Sequence, residues 1–319
     1  MNRAACYKLG VLGALLGVVG AARADLTLTE FTTLNVTGPE VVHGTVATGI
    51  SGTNVAGYYQ GTGWRNNGFL FDGTSYTTLN NPLGGNGTRI YGVSGGNIVG
   101  DYDAVDGTTY GFLYKDSSFT TIAAPASSSM TMIRGVSGNT VAGYYNDTTT
   151  GNPHGFLYNG SSYTTIADPL GVQGTTVLGI SGEQVVGYYY DSSYIQHGYL
   201  YNGSSYSTID VPSANLTFPN ATFGNNVVGF YFDADWAKHG FLYDGSSYTT
   251  LDSPFGTDME INGINGTTVV GTYMETASGQ SVGFTATLTA VPEPSTLGLI
   301  ALSGLGALLY RRRKFSIAG

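Results

Sequence analysis

Apolar and polar positions alternate in short runs along most of this chain, and the runs repeat. Five segments align without gaps: GFLFDGTSYTTLNNP from Gly68, GFLYKDSSFTTIAAP from Gly111, GFLYNGSSYTTIADP from Gly155, GYLYNGSSYSTIDVP from Gly198 and GFLYDGSSYTTLDSP from Gly240. A truncated sixth copy, GFTATL, begins at Gly283. The successive glycines are 43, 44, 43, 42 and 43 residues apart. A second ladder runs between them: NVAGYY, NIVGDY, TVAGYY, QVVGYY, NVVGFY and TVVGTY, with glycines at 57, 100, 143, 187, 229 and 271. Alternation of period two, bounded by Gly, Asn, Asp and Ser, is the pattern of half-buried strands. A constant period of this length signals a repeat architecture.

Each unit reads as four strands. Strand A is a β-branched run such as Thr88 to Val93, strand B the V-x-G-Y-Y ladder, strand C G-F-L-Y, and strand D S-Y-T-T-I/L. Ser-Gly dipeptides at 51–52, 94–95, 137–138 and 181–182 mark the A–B turns. Asp72-Gly73, Asn159-Gly160, Asn202-Gly203 and Asp244-Gly245 mark the C–D turns, and such dipeptides suit two-residue hairpins with φ > 0 at both central positions. Four antiparallel strands every 40 to 45 residues predict an all-β fold, a six-bladed β-propeller. The sixth unit lacks its own strand D, and Phe31-Thr32-Thr33-Leu34 near the N-terminus reads like the missing one. That N-terminal strand is expected to close the last blade and leave no open edge. The alternative is an open β-solenoid, which would leave the FTTL segment without a role.

The two ends read as addresses. Arg3 and Lys8 precede an apolar stretch from Leu9 to Ala22, and Ala22-Arg23-Ala24 is an A-x-A cleavage pattern, so residues 1–24 read as a signal peptide cut between Ala24 and Asp25. The Sec translocon and signal peptidase are the partners this implies. At the other end, Val291-Pro292-Glu293-Pro294 leads into an apolar run, 296–310, and then Arg311, Arg312, Arg313 and Lys314. As a helix the run reaches roughly 22 Å, a short transmembrane span, with the basic block holding the C-terminus on the cytoplasmic side. The expected division is therefore signal peptide 1–24, propeller 25–290 and sorting segment 291–319.

These residues resemble the PEP-CTERM proteins of Gram-negative bacteria, whose tail carries a Val-Pro-Glu-Pro box, an apolar segment and an Arg cluster. The resemblance implies recognition by an exosortase, a transient inner-membrane tether, and delivery to the cell surface or the exopolysaccharide matrix. The G-F-L-Y repeats, preceded by His at 154, 197 and 239, also resemble extracellular HAF repeats, although Asn67, Tyr110 and Val282 replace the His elsewhere. That family brings no settled activity.

Charge narrows the function classes. The chain carries 12 basic and 21 acidic residues, but seven of the basic ones fall in the two end segments, so the mature body is strongly acidic. Such a surface repels nucleic acid and anionic lipid. The single cysteine, Cys6, lies in the signal segment, so the mature body has no thiol with which to form a disulfide.

Three constellations carry candidate chemistry. Asp147, Asp191 and Asp233 end strand B where His154, His197 and His239 open strand C, so Asp–His hydrogen bonds are expected to clamp the loop bases. The competing reading is metal ligation or acid–base catalysis, which needs the three imidazoles to converge. Seven residues beyond the strand-B glycine stand Trp64, Tyr194 and Trp236, with Arg65 beside the first; loop aromatics of this kind stack on sugar rings. Against that, each ring could fold over its own hairpin. Asp101, Asp103 and Asp106 form a faint Ca²⁺ pattern without the bidentate terminal Glu, and Asx-turns are the simpler account. There is no nucleophile–base pair, phosphate loop or glycosidase-like carboxylate pair. The expectation is a non-enzymatic scaffold or exopolysaccharide-binding propeller without a cofactor, the alternative a glycan-active enzyme with its site at the channel mouth.

Overall fold

The structure, a computed structural model, describes residues 26–38, 41–124 and 128–290. The signal segment with Ala24 and Asp25, the Val291–Pro294 box, the apolar run and the Arg311–Arg313 cluster lie outside the described residues. Among the described residues no helix is long and apolar enough to cross a membrane.

Strand β1 (Leu26–Leu34) opens the chain, and blade 1 follows as β2 (Val41–Ser51), β3 (Asn54–Gly61), β4 (Asn66–Phe71) and β5 (Tyr76–Thr78). Blade 2 is β6 (Gly87–Ser94), β7 (Asn97–Asp103), β8 (Thr109–Lys115) and β9 (Ser118–Ile122). Blade 3 is β10 (Ser128–Ser137), β11 (Thr140–Asp147), β12 (Pro153–Tyr158) and β13 (Tyr163–Ile166). Blade 4 is β14 (Thr175–Ser181), β15 (Gln184–Tyr190), β16 (Gln196–Tyr201) and β17 (Tyr206–Thr208). Blade 5 is β18 (Leu216–Phe223), β19 (Asn226–Phe232), β20 (Lys238–Tyr243) and β21 (Tyr248–Leu251). Blade 6 has β22 (Gly256–Asn265), β23 (Thr268–Glu275) and β24 (Ser281–Ala290), and its fourth strand is β1, in the order β1-β24-β23-β22. The expected N-terminal closure is present, and the open solenoid is set aside. Thr29 and Thr289 hydroxyls meet at 2.7 Å across this pair.

Local sequence explains the blade. In every blade strand A bulges three residues before its last residue, as between Val177 and Gly179, and a carbonyl just before the bulge faces strand B. The strand-B glycine sits beneath that carbonyl; a Cβ at Gly187 would run into the Thr176 oxygen. The ladder glycines are thus required by a close backbone approach. Between blades, one large residue of strand C (Phe69, Phe112, Phe156, Tyr199, Phe241 or Phe284) is wholly buried, and each blade junction has its own apolar cluster.

The C–D turns differ from expectation. Asp72, Asn159, Asn202 and Asp244 do not adopt positive φ, and each link is four residues long, with only the glycine left-handed. The Asx side chain causes this: Asp72 Oδ1 accepts from the amides of Thr74 and Ser75, both at 2.8 Å, and so holds a wider turn. The two-residue hairpin occurs in blade 2 instead, where Asp116 and Ser117 take φ of 48° and 60°.

The ring is sealed by one bond type reused. The residue before the strand-A glycine, or its counterpart, donates to the next blade's strand A: Thr48 Oγ1 to Ile90 O at 2.8 Å, and Asn220 Nδ2 to Ile261 O at 3.1 Å. Asn262 Nδ2 to Ala47 O, at 3.0 Å, is the same bond across the seam between blades 6 and 1. On the rim, Ser51, Ser94 and Ser137 accept from Gly95, Gly138 and Gly182 of the following blade.

Candidate functional site

Strand direction gives the molecule two unlike faces. A–B and C–D turns crowd one face, the turn face; B–C and D–A loops crowd the other, the loop face. The exposed large apolar side chains fall almost wholly on the loop face: Trp64, Tyr194 and Trp236 from the B–C loops, Leu83, Leu170 and Phe255 from the D–A loops, with others beside them. Only Phe223 belongs to the turn face. No D–A residue stands out in the sequence, because beyond the Pro that closes each aligned segment these links differ from blade to blade.

Trp64, Tyr194 and Trp236 share one backbone state, with φ of 64°, 60° and 63°. This left-handed conformation costs an L-residue roughly 1–2 kcal/mol. Near the same loop position blades 2, 3 and 6 carry left-handed glycines, Gly107, Gly151 and Gly279. The chain therefore sets aromatic rings where glycine would fit without strain. The rings remain 71%, 67% and 63% exposed, so burial does not explain them. Trp64 does lean on His43, with ring centroids 4.5 Å apart, and Trp236 touches Phe232 at 6.0 Å. Arg65 is exposed beside Trp64.

The loop acids build these tips. Asp191 Oδ1 accepts from the amides of Ser193 (2.7 Å) and Ile195 (2.8 Å), and Asp233 Oδ1 from those of Asp235 and Ala237, both at 2.9 Å. These backbone donors hold both carboxyls below the usual range. Asp147 does the same with Thr149 and Thr150.

Each histidine stays within its own blade. His197 Nε2 lies 3.7 Å from Asp191, and His239 Nε2 lies 3.4 Å from Asp233. The shorter partners come from the residue after strand D: Asp210 at 2.7 Å from His197 Nδ1, and Asp252 at 3.0 Å from His239 Nδ1. Sequence reading missed these second acids, although they stand at one repeat position. Burial pulls the His239 pKa down, but hydrogen bonds and charge from Asp252 and Asp233 outweigh it and raise it. In blade 3 Ala167 occupies that position, and His154 stacks on Tyr145 at 5.4 Å. In blade 1 Asn67 and Asn80 make the neutral version, 2.9 Å apart.

Two cavities open at blade junctions beside the tips. One of about 370 Å³ between blades 6 and 1 is lined by His43, Tyr58, Gln60, Trp64, Met274 and Gln280. The other, about 320 Å³ between blades 5 and 6, has Lys238, His239, Asp252, Ser253, Thr257 and Asp258 in its wall.

The central channel holds a polar cluster that the repeat alignment overlooked. The residue after the strand-B glycine is Tyr58, Tyr144, Tyr188 or Phe230 in four blades, but Asp101 in blade 2 and Thr272 in blade 6. Asp101 faces Arg89 across the β6–β7 ladder, and Thr272 faces Glu260 across β22–β23. Arg89 Nε donates to Asp101 at 2.7 Å, and its two terminal nitrogens grip Asp103 at 2.8 and 2.9 Å. The Arg134 guanidinium lies over the Tyr91 ring, 3.9 Å from its centroid. Lys238 pairs with Glu260 and lies over Phe230. Burial pushes the wholly enclosed Asp101 carboxyl up, against the pull of Arg134 and Arg89.

The three acids of the faint Ca²⁺ pattern, Asp101, Asp103 and Asp106, take separate structural places. Asp101 and Asp103 are spent on Arg89, while Asp106 caps its turn at Thr108 (2.9 Å). Among the described residues no group of three or more His, Cys, Asp or Glu converges as a metal site, which also separates the three histidines.

Residues 290–314 match the model of the PEP-CTERM protein-sorting motif. No curated protein matches the chain by sequence. In fold it is similar to the SapL1 lectin, solved with α-methyl fucoside, at 14% identity over 80% of this chain and 99% of that one, with a TM-score of 0.52. It is similar to a TolB candidate from Agrobacterium tumefaciens at 13% identity over 85% and 100%, TM-score 0.51. The Aleuria aurantia lectin, described as a six-bladed β-propeller, matches at 13% identity over 80% and 99%, TM-score 0.48. At such identities the likeness speaks for the fold alone. The sorting motif marks an exported, membrane-anchored precursor handled by an exosortase.

Proposed function

We propose that this protein is a non-enzymatic component of the cell surface or extracellular matrix whose loop face binds exopolysaccharide. The observation that carries the reading is the set of three exposed rings, Trp64, Tyr194 and Trp236, held left-handed at one loop position. Flat apolar faces beside carboxylates and amides are what sugar rings stack and hydrogen-bond against. Rigid tips also lose little conformational entropy on binding.

The sorting tail supplies delivery. In this reading the Sec translocon and signal peptidase export the chain, the tail tethers it briefly to the inner membrane, and exosortase processing near Val291–Pro294 frees the propeller for the surface or the matrix. The rival reading, a glycan-active enzyme at the channel mouth, meets an obstacle in the channel chemistry. Among the described residues its carboxylates are each held by a cation, Asp101 and Asp103 by Arg89 and Glu260 by Lys238.

The test is retention of the protein on the host's own exopolysaccharide. Retention should drop at least tenfold for Trp64→Ala/Tyr194→Ala/Trp236→Ala, at unchanged melting temperature. Equal retention of the triple variant removes the reading, and release of reducing sugar by the wild type would favour the enzyme.

A further inference from the structure

The loop face has a charge character that selects among polysaccharides. Its carboxylates include Asp106, Asp235, Asp252 and Asp258, all exposed, with Asp191 and Asp233 at the bases of the tips. Cations are scarce and mostly committed. Arg89 is held by Asp101 and Asp103, Lys238 by Glu260, and Arg134 lies on Tyr91 inside the channel. Lys115 belongs to the turn face, where it bonds Asn139. Among the described residues, Arg65 is then the one Lys or Arg on the loop face without a carboxylate partner.

The chain leaves from the other side. Near the end of β24, the Leu288 amide donates to Thr267 O in the A–B turn of blade 6, at 2.8 Å, so β24 ends at the turn face. Its partner β1 begins there too, with Thr29 against Thr289. β24 therefore delivers the chain to the turn face at Ala290, on the side opposite the aromatic tips.

We propose that the occupant of the loop face is a polysaccharide bearing free amino groups, a polycationic glycan, rather than a neutral or uronic-acid polymer. The inference rests on the polysaccharide reading above and specifies its substrate class. The rings of Trp64, Tyr194 and Trp236 take the sugar faces, and the surrounding carboxylates take the ammonium groups as charge-assisted partners. The blade 5–6 cavity shows the arrangement locally. Its Lys238 and His239 are engaged by Glu260 and by Asp233 with Asp252, while the exposed Asp258 carboxylate receives the Thr257 hydroxyl (3.1 Å) and faces solvent. Trp236 is next in sequence to Ala237 on the cavity rim. A basic protein could meet the same charges, but it offers no reason for three aromatic tips in strained backbone.

The experiment uses the full chain in mild detergent with four soluble hexamers: glucosamine, N-acetylglucosamine, a uronic acid and lysine. The glucosamine hexamer should bind about tenfold tighter than its acetylated form, and 0.5 M salt should erase that margin by screening. Asp235→Asn/Asp258→Asn should bring the two affinities together without weakening the acetylated ligand, since neither side chain holds a loop together and Asn tolerates the left-handed φ of 54° at position 258. Trp64→Ala/Trp236→Ala should weaken both sugars. Equal affinity for the two sugars, or preference for the uronate, overturns the amino-glycan assignment and leaves the polysaccharide reading intact. Hexalysine binding as tightly as hexaglucosamine overturns it in favour of a polycation of any kind. Failure of every sugar to bind sinks both.

Discussion

Replacing Tyr194 with glycine should make the protein slightly more stable while weakening its hold on polysaccharide. Tyr194 sits at φ 60° with two thirds of its surface exposed. Relief of the left-handed strain is worth roughly 1–2 kcal/mol. Against this stands the added backbone entropy of glycine in the unfolded chain, roughly 0.5–1 kcal/mol, and the loss of the third of the ring that is buried. The net expectation is a gain between zero and about 1 kcal/mol, or up to roughly 2–4 °C in Tm for a domain of this size. The same scaffold offers a calibration. Gly182 has φ 60° with open space where a Cβ would stand, so Gly182→Ala should report the strain less the unfolded-state entropy that alanine saves, a net loss of up to about 1 kcal/mol. Both variants are measured by urea unfolding with shared m-values, beside binding to the exopolysaccharide. If Tyr194→Gly costs more stability than Gly182→Ala, the ring is packing rather than presented, and the case for a binding tip at this loop fails.

Other consequences are equally direct. Asp101→Ala leaves Arg89 Nε without its acceptor and the enclosed Arg134 without its neighbouring charge and should cost about 3–5 kcal/mol, whereas Arg89→Met/Asp101→Tyr copies the Met132–Tyr144 pair of blade 3 and should recover part of that; a double variant as unstable as the single one would contradict this. Asn262→Ala breaks the seam bond to Ala47 and removes one of the two acceptors of the Asn220 amide, which keeps Ile261 O, so a loss of about 1–2 kcal/mol is expected, with faster hydrogen exchange first at β2 and β22. The raised pKa of His239 means folding favours its protonated form. That contribution is full below about pH 6.5 and fades as pH rises through the folded value, so wild-type stability should decline from pH 6 to 8 more steeply than that of His239→Gln. Parallel pH profiles for the two would show that the Asp233–His239–Asp252 clamp carries no such linkage.

Much of the fold could be read from the chain because propeller strands are short, local and repeated. Alternation in GFLY and YTTI places the buried face, and the FTTL of β1 betrays itself by matching strand D elsewhere. The turn chemistry was misread because an Asx side chain can seize two amides and widen a hairpin that the dipeptide rule makes tight. The second acids of the histidine clamps, Asp210 and Asp252, were visible as a shared repeat position. So was the channel cluster, as the two blades where Asp101 and Thr272 break the aromatic rule. Departures from a repeat were more informative than the repeat itself.

By itself the sequence determined the period, the strand set, the closing strand and the sorting tail, since each is a matter of neighbours within some forty residues or of a contiguous motif. Only the tertiary structure decided which residues share a face. Ring closure brings Asn262 to Ala47, 215 positions away, and strand direction sends Trp64, Tyr194 and Trp236 to one side and the start of β1 with the end of β24 to the other. The same folding places Arg134 on Tyr91 and pairs Arg89 and Lys238 with carboxylates, leaving Arg65 as the one uncommitted cation among the described residues of an otherwise acidic loop face. Charge counts along a chain carry no direction in space, and the sign of a binding face depends on which charges meet each other first.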